Sequence, residues 1–202
     1  MSRAVTQPET FAFDAANLEK ARAIIAKYPE GRQQSAVLPL LDLAQRQAGG
    51  WLPRAAVEAV AETLDMAVIR VWEVATFYTM FDLEPVGRTC VNVCTTTPCW
   101  LRGSGEIVAA LEKALDLRLG ETSEDGAFTL REVECLGACV NAPLVQIGDD
   151  YFEDLSPESA ARLVKAIAAG EAPEPGPQSG RRSSEPRSGT KVLKGEGADA
   201  RR

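Results

Sequence analysis

Four of the five cysteines of this 202-residue chain fall into two short pairs. Cys94 and Cys99 frame a C-x4-C loop in "VCTTTPCWLRG", and Cys135 and Cys139 frame a C-x3-C loop in "VECLGACVNAP". No histidine is present. That single absence removes Ser–His–Asp and Cys–His catalysis, mixed Cys/His zinc sites and Rieske-type clusters. What remains is chemistry that thiolates do unaided. Four thiolates suit a [2Fe–2S] cluster, two to each iron, or a four-cysteine structural zinc site. A dithiol redox centre favours C-x-x-C opening a helix, which is missing here. Buried structural thiols are a further reading, because a free cysteine packs as a small hydrophobe. Gly103, Gly137 and Pro143 flank the pairs, and such residues mark loops more than cores. Under the cluster reading, Gly103, Gly105 and Gly137 let backbone approach sulfur. The hydroxyls of Thr95, Thr96 and Thr97 are then candidate donors to it. Cys90 lies inside a predicted strand and reads as a buried free thiol.

The elements around the pairs explain how they meet. "TCVNV" alternates as a strand does, "TTTPCWLRGSG" reads as a loop, and "EIVAALEKALDL" is an amphipathic helix over about 104–116. Its N-terminus places a partial positive charge near the first pair. "GAFTLREVEC" is a strand ending at Cys135, and "PLVQIGDDYFEDL" is a hairpin turning at Gly148–Asp149. A last helix starts after Ser156 and Pro157 and stops at Gly170. Both cysteine loops thus follow strands, and neighbouring strands of a layered sheet bring their carboxyl-end loops together.

Residues 1–84 are helical in pattern: Leu18, Ala21, Ile25 and Tyr28 behind Asp14; Val37, Leu40, Leu41, Ala44 and Ala48, with Pro39 implying a kink or a late start; then Val57, Val60 and Leu64 behind Pro53. "MAVIRVWEVATFYTMF" is a fourth, more apolar segment, expected to be the more buried. The fold class is therefore α+β: a helical bundle over 1–84, an α/β layer domain over 85–170 compatible with a thioredoxin-like sandwich, and a tail over 171–202 whose Pro, Gly, Ser and Arg content reads as extended or disordered.

The net charge of −7 disfavours nucleic acid as a partner. Residues 1–169 carry 15 basic and 24 acidic side chains, whereas 170–202 carry 7 and 5. A basic tail on an acidic body suggests a separate job for the tail, here expected to lie along a partner. No apolar run is long enough to span a membrane, and the N-terminus lacks the apolar core of a signal peptide. The expectation is a cytoplasmic protein that reaches a membrane only through partners.

Both cysteine motifs, extended to "FTLREVECLGACVNAPLVQI", together with "YFEDLSPE", "WLP", "VATFYTMF" and "PGPQSGRRSSEP", resemble the small [2Fe–2S] subunit family of respiratory NADH:quinone oxidoreductase, complex I. The resemblance covers roughly residues 13–187. Cys90 and Trp100 are less typical of that family at their positions. The resemblance implies a thioredoxin-like ferredoxin domain holding one [2Fe–2S] cluster per chain, with Cys94 and Cys99 on one iron and Cys135 and Cys139 on the other. It implies two partners: a subunit binding FMN and NADH, with whose flavin the cluster exchanges electrons off the main path to quinone, and an adjacent large iron–sulfur subunit. It also implies a place at the bacterial inner membrane, peripheral and through the complex. The chain itself has no glycine-rich dinucleotide motif, so no NADH site of its own is expected. Its acidic body predicts a low cluster potential, and Trp100 is expected to shield the cluster from water. The homologous subunit of an NAD-linked hydrogenase or formate dehydrogenase is the near alternative; a zinc-stabilised scaffold is the distant one.

Overall fold

The structure, a computed structural model, describes residues 6–186 and Ser188. The chain divides into two compact units between Arg88 and Thr89.

The first unit is built of four helices. α1 (Ala15–Ile25) is capped by Asp14, whose Oδ1 accepts from the Asn17 N–H at 2.8 Å. α2 (Val37–Gln47) is entered through a 3-10 turn at Gln33–Ala36. Pro39 is its third residue, where a missing N–H breaks no intrahelical bond, so the late start is the outcome. α3 (Arg54–Thr63) follows Pro53, and α4 spans Val68–Phe77. Leu40, Leu41, Val57, Val60 and Val71 are fully buried in one core, as the 3.6-residue spacing requires. The expectation that the α4 segment is the more buried one is corrected. Val71 and Ala75, one turn apart, are the buried residues of α4, and Trp72 and Val74 are only partly buried against the core. Ile69 is 65% and Phe77 76% exposed, and Met80 and Tyr78 are exposed as well. A helix at the edge of a bundle can turn only one stripe inward, and here exposed Val68, Ile69 and Phe77 share the outer face with the Arg70–Glu73 ion pair.

The second unit is a six-stranded sheet in the order β2-β3-β1-β4-β5-β6, from β1 (Thr89–Cys94), β2 (Glu121–Thr122), β3 (Phe128–Val133), β4 (Val145–Ile147), β5 (Asp150–Glu153) and β6 (Gly176–Pro177). β1 runs parallel to β3 and antiparallel to β4. The parallel step is made by the crossover that contains α6 (Ser104–Leu115), which rests on both strands. α7 (Pro157–Ala168) packs on α6 and starts in a capping box, with Ser156 Oγ accepting from the Ser159 N–H and Ser159 Oγ from the Ser156 N–H. Val91, Val93, Ile107, Leu111, Leu130, Val145 and Val164 fill the core between sheet and helices.

Three expectations change here. The loop after β1 contains a short helix, α5 (Thr97–Leu101). β3 stops two residues short of Cys135. The tail, read as extended or disordered, is extended yet fastened to its own unit up to residue 186. β6 pairs in parallel with β5, and Gln178 N–H donates to Glu153 O at 2.8 Å. Arg181 forms a buried ion pair with Asp154. Apolar composition counts only what burial can supply, and this segment is held by backbone and charge instead. The rest of the basic tail, from 189 on, lies outside the described residues.

Candidate metal centre

The register of β1 against β3 sets the site. Cys94, the last residue of β1, stands opposite Val133, the last of β3. The two chains therefore leave the sheet side by side at the same end, one into 95–103 and the other into 134–144.

In the first loop Thr96 occupies the N-cap position of α5, yet its side chain makes no capping bond. Its hydroxyl lies 3.3 Å from Cys94 Sγ instead. Pro98 fits the first turn, and the single turn of α5 carries Cys99 inward, where it is fully buried beside Cys94, Ala142 and Leu144. Of the neighbouring threonines, Thr95 is committed elsewhere, donating to Glu132 Oε1. Gly103, at φ +91°, supplies the left-handed residue that turns the chain from α5 into α6.

In the second loop Gly137, at φ +82°, turns its N–H onto Cys135 Sγ at 3.4 Å. Tyr151 Oη donates to Leu136 O at 2.9 Å and pins the loop from β5. Cys139 opens a 3-10 turn, Cys139–Asn141, and its sulfur lies 3.5 Å from that of Cys135.

The two pairs meet. Ala142 and Leu144 of the second loop are buried with Cys94 and Cys99 of the first, and Leu136 and Ala138 pack against the same cluster. Burial raises the Cys94 thiol, but the Thr96 hydroxyl and backbone donors outweigh it and leave its pKa below the usual thiol value. Cys99 is pushed up to about 12, by burial first and then by Cys94. The Gly137 N–H, with Cys139 and Thr96, holds Cys135 low. Hydrogen bonding to Cys135 pushes Cys139 up. Each low thiol thus sits beside a high one: four adjacent sulfurs cannot all carry negative charge without a cationic partner. The donor set accordingly fits a group that brings its own positive charge. Among the described residues no three His, Cys, Asp or Glu side chains are gathered to hold a single ion. Cys90, expected as a buried thiol, sits within β1 opposite Thr129 and is half-buried.

Cys94 and Cys99 are buried, whereas Cys135 and Cys139 are exposed. Trp100, expected as a water shield, is 67% exposed, and Leu101 beside it and Val140 in the second loop are exposed as well. The cover on the buried pair comes from Leu136, Ala138, Ala142, Leu144 and Tyr151. Sequence reasoning missed that Tyr151 pins the second loop and that Asp154 and Arg181 form a buried ion pair. The only cue was an arginine pair inside an otherwise unstructured-looking "PGPQSGRRSSEP".

Residues 21–168 match the family of thioredoxin-like [2Fe–2S] ferredoxins, a span that takes in most of both units. The E-subunit of NADH-quinone oxidoreductase from Rickettsia conorii is 58% identical over 162 residues, covering 80% of this chain and 97% of the relative. Its counterpart from Rickettsia felis is 59% identical over 154 residues, covering 76% and 92%. The chain belongs to the E-subunit family of NADH-quinone oxidoreductase. The cofactor of that family's ferredoxin domain is a [2Fe–2S] cluster, which is what the paired thiols of this family member fit. Among solved structures, an NAD+-reducing [NiFe]-hydrogenase in the air-oxidized state shares the fold, with a TM-score of 0.56 at 20% identity. The match covers 64% of this chain and 23% of the hydrogenase chain. Among the described residues of this E-subunit family member, no helix is long and apolar enough to cross a membrane.

Proposed function

We propose that the chain carries one electron at a time for an NADH-oxidising complex, through a single [2Fe–2S] cluster held by Cys94 and Cys99 on one iron and Cys135 and Cys139 on the other. The observation that carries this reading is the meeting of the two cysteine loops at one end of β1 and β3, where Ala142 and Leu144 of the second loop are buried with Cys94 and Cys99 of the first. When bound, the cluster supplies a one-electron store that changes charge without gaining or losing a ligand. The chain's own residues do the rest. Thr96 Oγ1 and Gly137 N–H donate toward sulfur and favour the more negative state. Leu144, Ala142 and Tyr151 keep water from the buried pair. The exposed pair leaves a short route to a partner.

The partner in this reading is the subunit that binds NADH and FMN, with the large iron–sulfur subunit adjacent, and the chain reaches the membrane only through them. The relatives at 58% identity favour this over the hydrogenase subunit, which shares the fold at 20%.

The test is direct. Full-length chain, loaded with iron and sulfide without air, should be coloured and give a one-electron EPR signal on reduction. Serine at Cys94, Cys99, Cys135 or Cys139 should abolish both, while Cys90→Ser keeps them. A colourless protein that binds zinc would overturn the reading. Co-purified with its flavin subunit, the chain should give the same signal on adding NADH; a signal absent from that pair would remove the flavin exchange and leave the cluster.

A further inference from the structure

Cys139 is exposed, yet the two residues that follow it in its turn are tied to other stretches of the second unit. Asn141, at the end of that turn, is buried; its Nδ2 donates to Glu153 Oε2 and to Ser183 O at 3.2 Å. Its carbonyl accepts the Asp154 N–H at 2.8 Å. At the centre stands Arg181. Its Nε and Nη2 grip both oxygens of Asp154, the Nη2 bond at 2.8 Å. Nη2 also donates to Val140 O at 2.9 Å and to Asn141 Oδ1, and Nη1 donates to Glu185 O at 3.0 Å. Asp154 is itself held at φ +51°, a backbone that a non-glycine residue rarely adopts, with Ser179 Oγ donating to the same carboxylate at 2.9 Å.

The side chains of Arg181 and Asp154 are only 9% and 8% exposed. Burying such a pair costs desolvation that its attraction barely returns, so stability alone does not account for it. What a guanidinium offers is direction. Its planar fork matches a carboxylate and still has N–H groups for a carbonyl, which an ammonium on a flexible stem does not reproduce.

We propose that Arg181 is a positioning residue for the cluster. It clamps Val140 and Asn141 to Asp154, fixes the turn that begins at Cys139, and thereby sets how firmly the exposed half of the site retains its iron. This inference rests on Cys139 being a ligand. It assigns the stretch 176–186 an intramolecular task, distinct from any partner contact of the residues beyond.

The experiment uses the loaded full-length chain and three variants. Arg181→Lys keeps the charge and loses the fork. Asp154→Asn keeps the shape and loses the charge, and serves if the first variant does not fold. Gln178→Ala loosens the same segment remotely, because among the described residues its side chain bonds the carbonyls of Glu174 and Gly176 and nothing in the turn. Loss of visible absorption is timed in excess EDTA well below each variant's unfolding temperature, and the EPR spectrum of each reduced protein is recorded. Arg181→Lys and Asp154→Asn should lose the cluster about tenfold faster or more, with altered g-values. Gln178→Ala should match the wild type in both. Wild-type rates and spectra in Arg181→Lys and Asp154→Asn would overturn the clamp while leaving the ligand assignment intact. So would equal acceleration in Gln178→Ala, which would reduce the segment to a staple on the sheet edge. A wild-type chain that takes up no cluster would remove the ligand assignment and the clamp together.

Discussion

Replacing Thr96 by valine should lower the midpoint potential of the loaded chain by about 20–35 mV. Valine has the shape of threonine without the hydroxyl. In the structure that hydroxyl forgoes the cap of α5 and lies 3.3 Å from Cys94 Sγ. A hydrogen bond to a charged group contributes roughly 1.5–3 kcal/mol, and sulfur is a weak acceptor, so about 1.5 kcal/mol is the fitting figure. The potential feels only the part of that bond that strengthens when the site gains an electron. Taking a third to a half gives about 0.5–0.8 kcal/mol, and a one-electron couple moves about 59 mV for each 1.4 kcal/mol. The sign follows from charge: a donor favours the more negative reduced state, so losing it makes reduction harder. The assay is an anaerobic spectroelectrochemical titration of full-length protein. Thr95→Val is the matched control, because its hydroxyl is engaged by Glu132, and its potential should hold. A Thr96→Val potential equal to the wild type, or above it, would refute the donor role. A shift of the same size in Thr95→Val would show that loop polarity matters and the specific bond does not.

The chain without iron should lose stability in alkali. Cys99 keeps its proton in the fold up to about pH 12 but gives it up near 9 when unfolded. Its contribution therefore falls by about 1.4 kcal/mol per pH unit between those values. Cys139, also raised, adds in the same direction. Cys94 and Cys135, held low, contribute stability above the usual thiol pKa and lose it as pH falls through their folded values. Urea melts from pH 7 to 11 should show the alkaline slope, and Cys99→Ser should flatten it. Leu111→Ala, at a fully buried position where α6 meets the sheet core, should cost about 2–5 kcal/mol in such melts and spare the colour of the loaded protein at low temperature.

The candidate site was legible because its chemistry is written in one residue type at two short spacings. The loops that bring Cys94 and Cys135 together follow from two strands and one crossover helix, each with clear periodicity. Caps at Asp14 and Ser156 were readable because a side-chain oxygen before an apolar stripe has one common use. α5 was not readable: "TTTPCWL" is one turn long, and its cap residue is turned to sulfur. β2 and β6 are two residues each, too short for alternation to show. The α4 face was misjudged because apolar content signals burial only when a neighbour exists to bury it. Arg181 was invisible for a different reason. Its partners lie 27 and 40 residues back in the chain, and a buried charge pair leaves no periodic trace. A truncation meant to probe the tail's partner contacts should accordingly begin after residue 188.

Each of the two units closes its own core, from Ala21 to Phe81 in the first and from Val91 to Val164 in the second. Heat and denaturant should then act on this polypeptide as on two proteins in series, and a calorimetric trace fitted to one transition would misstate both. For a lineage, the same arrangement means that the buried residues of one cluster can drift in volume without repacking those of the other.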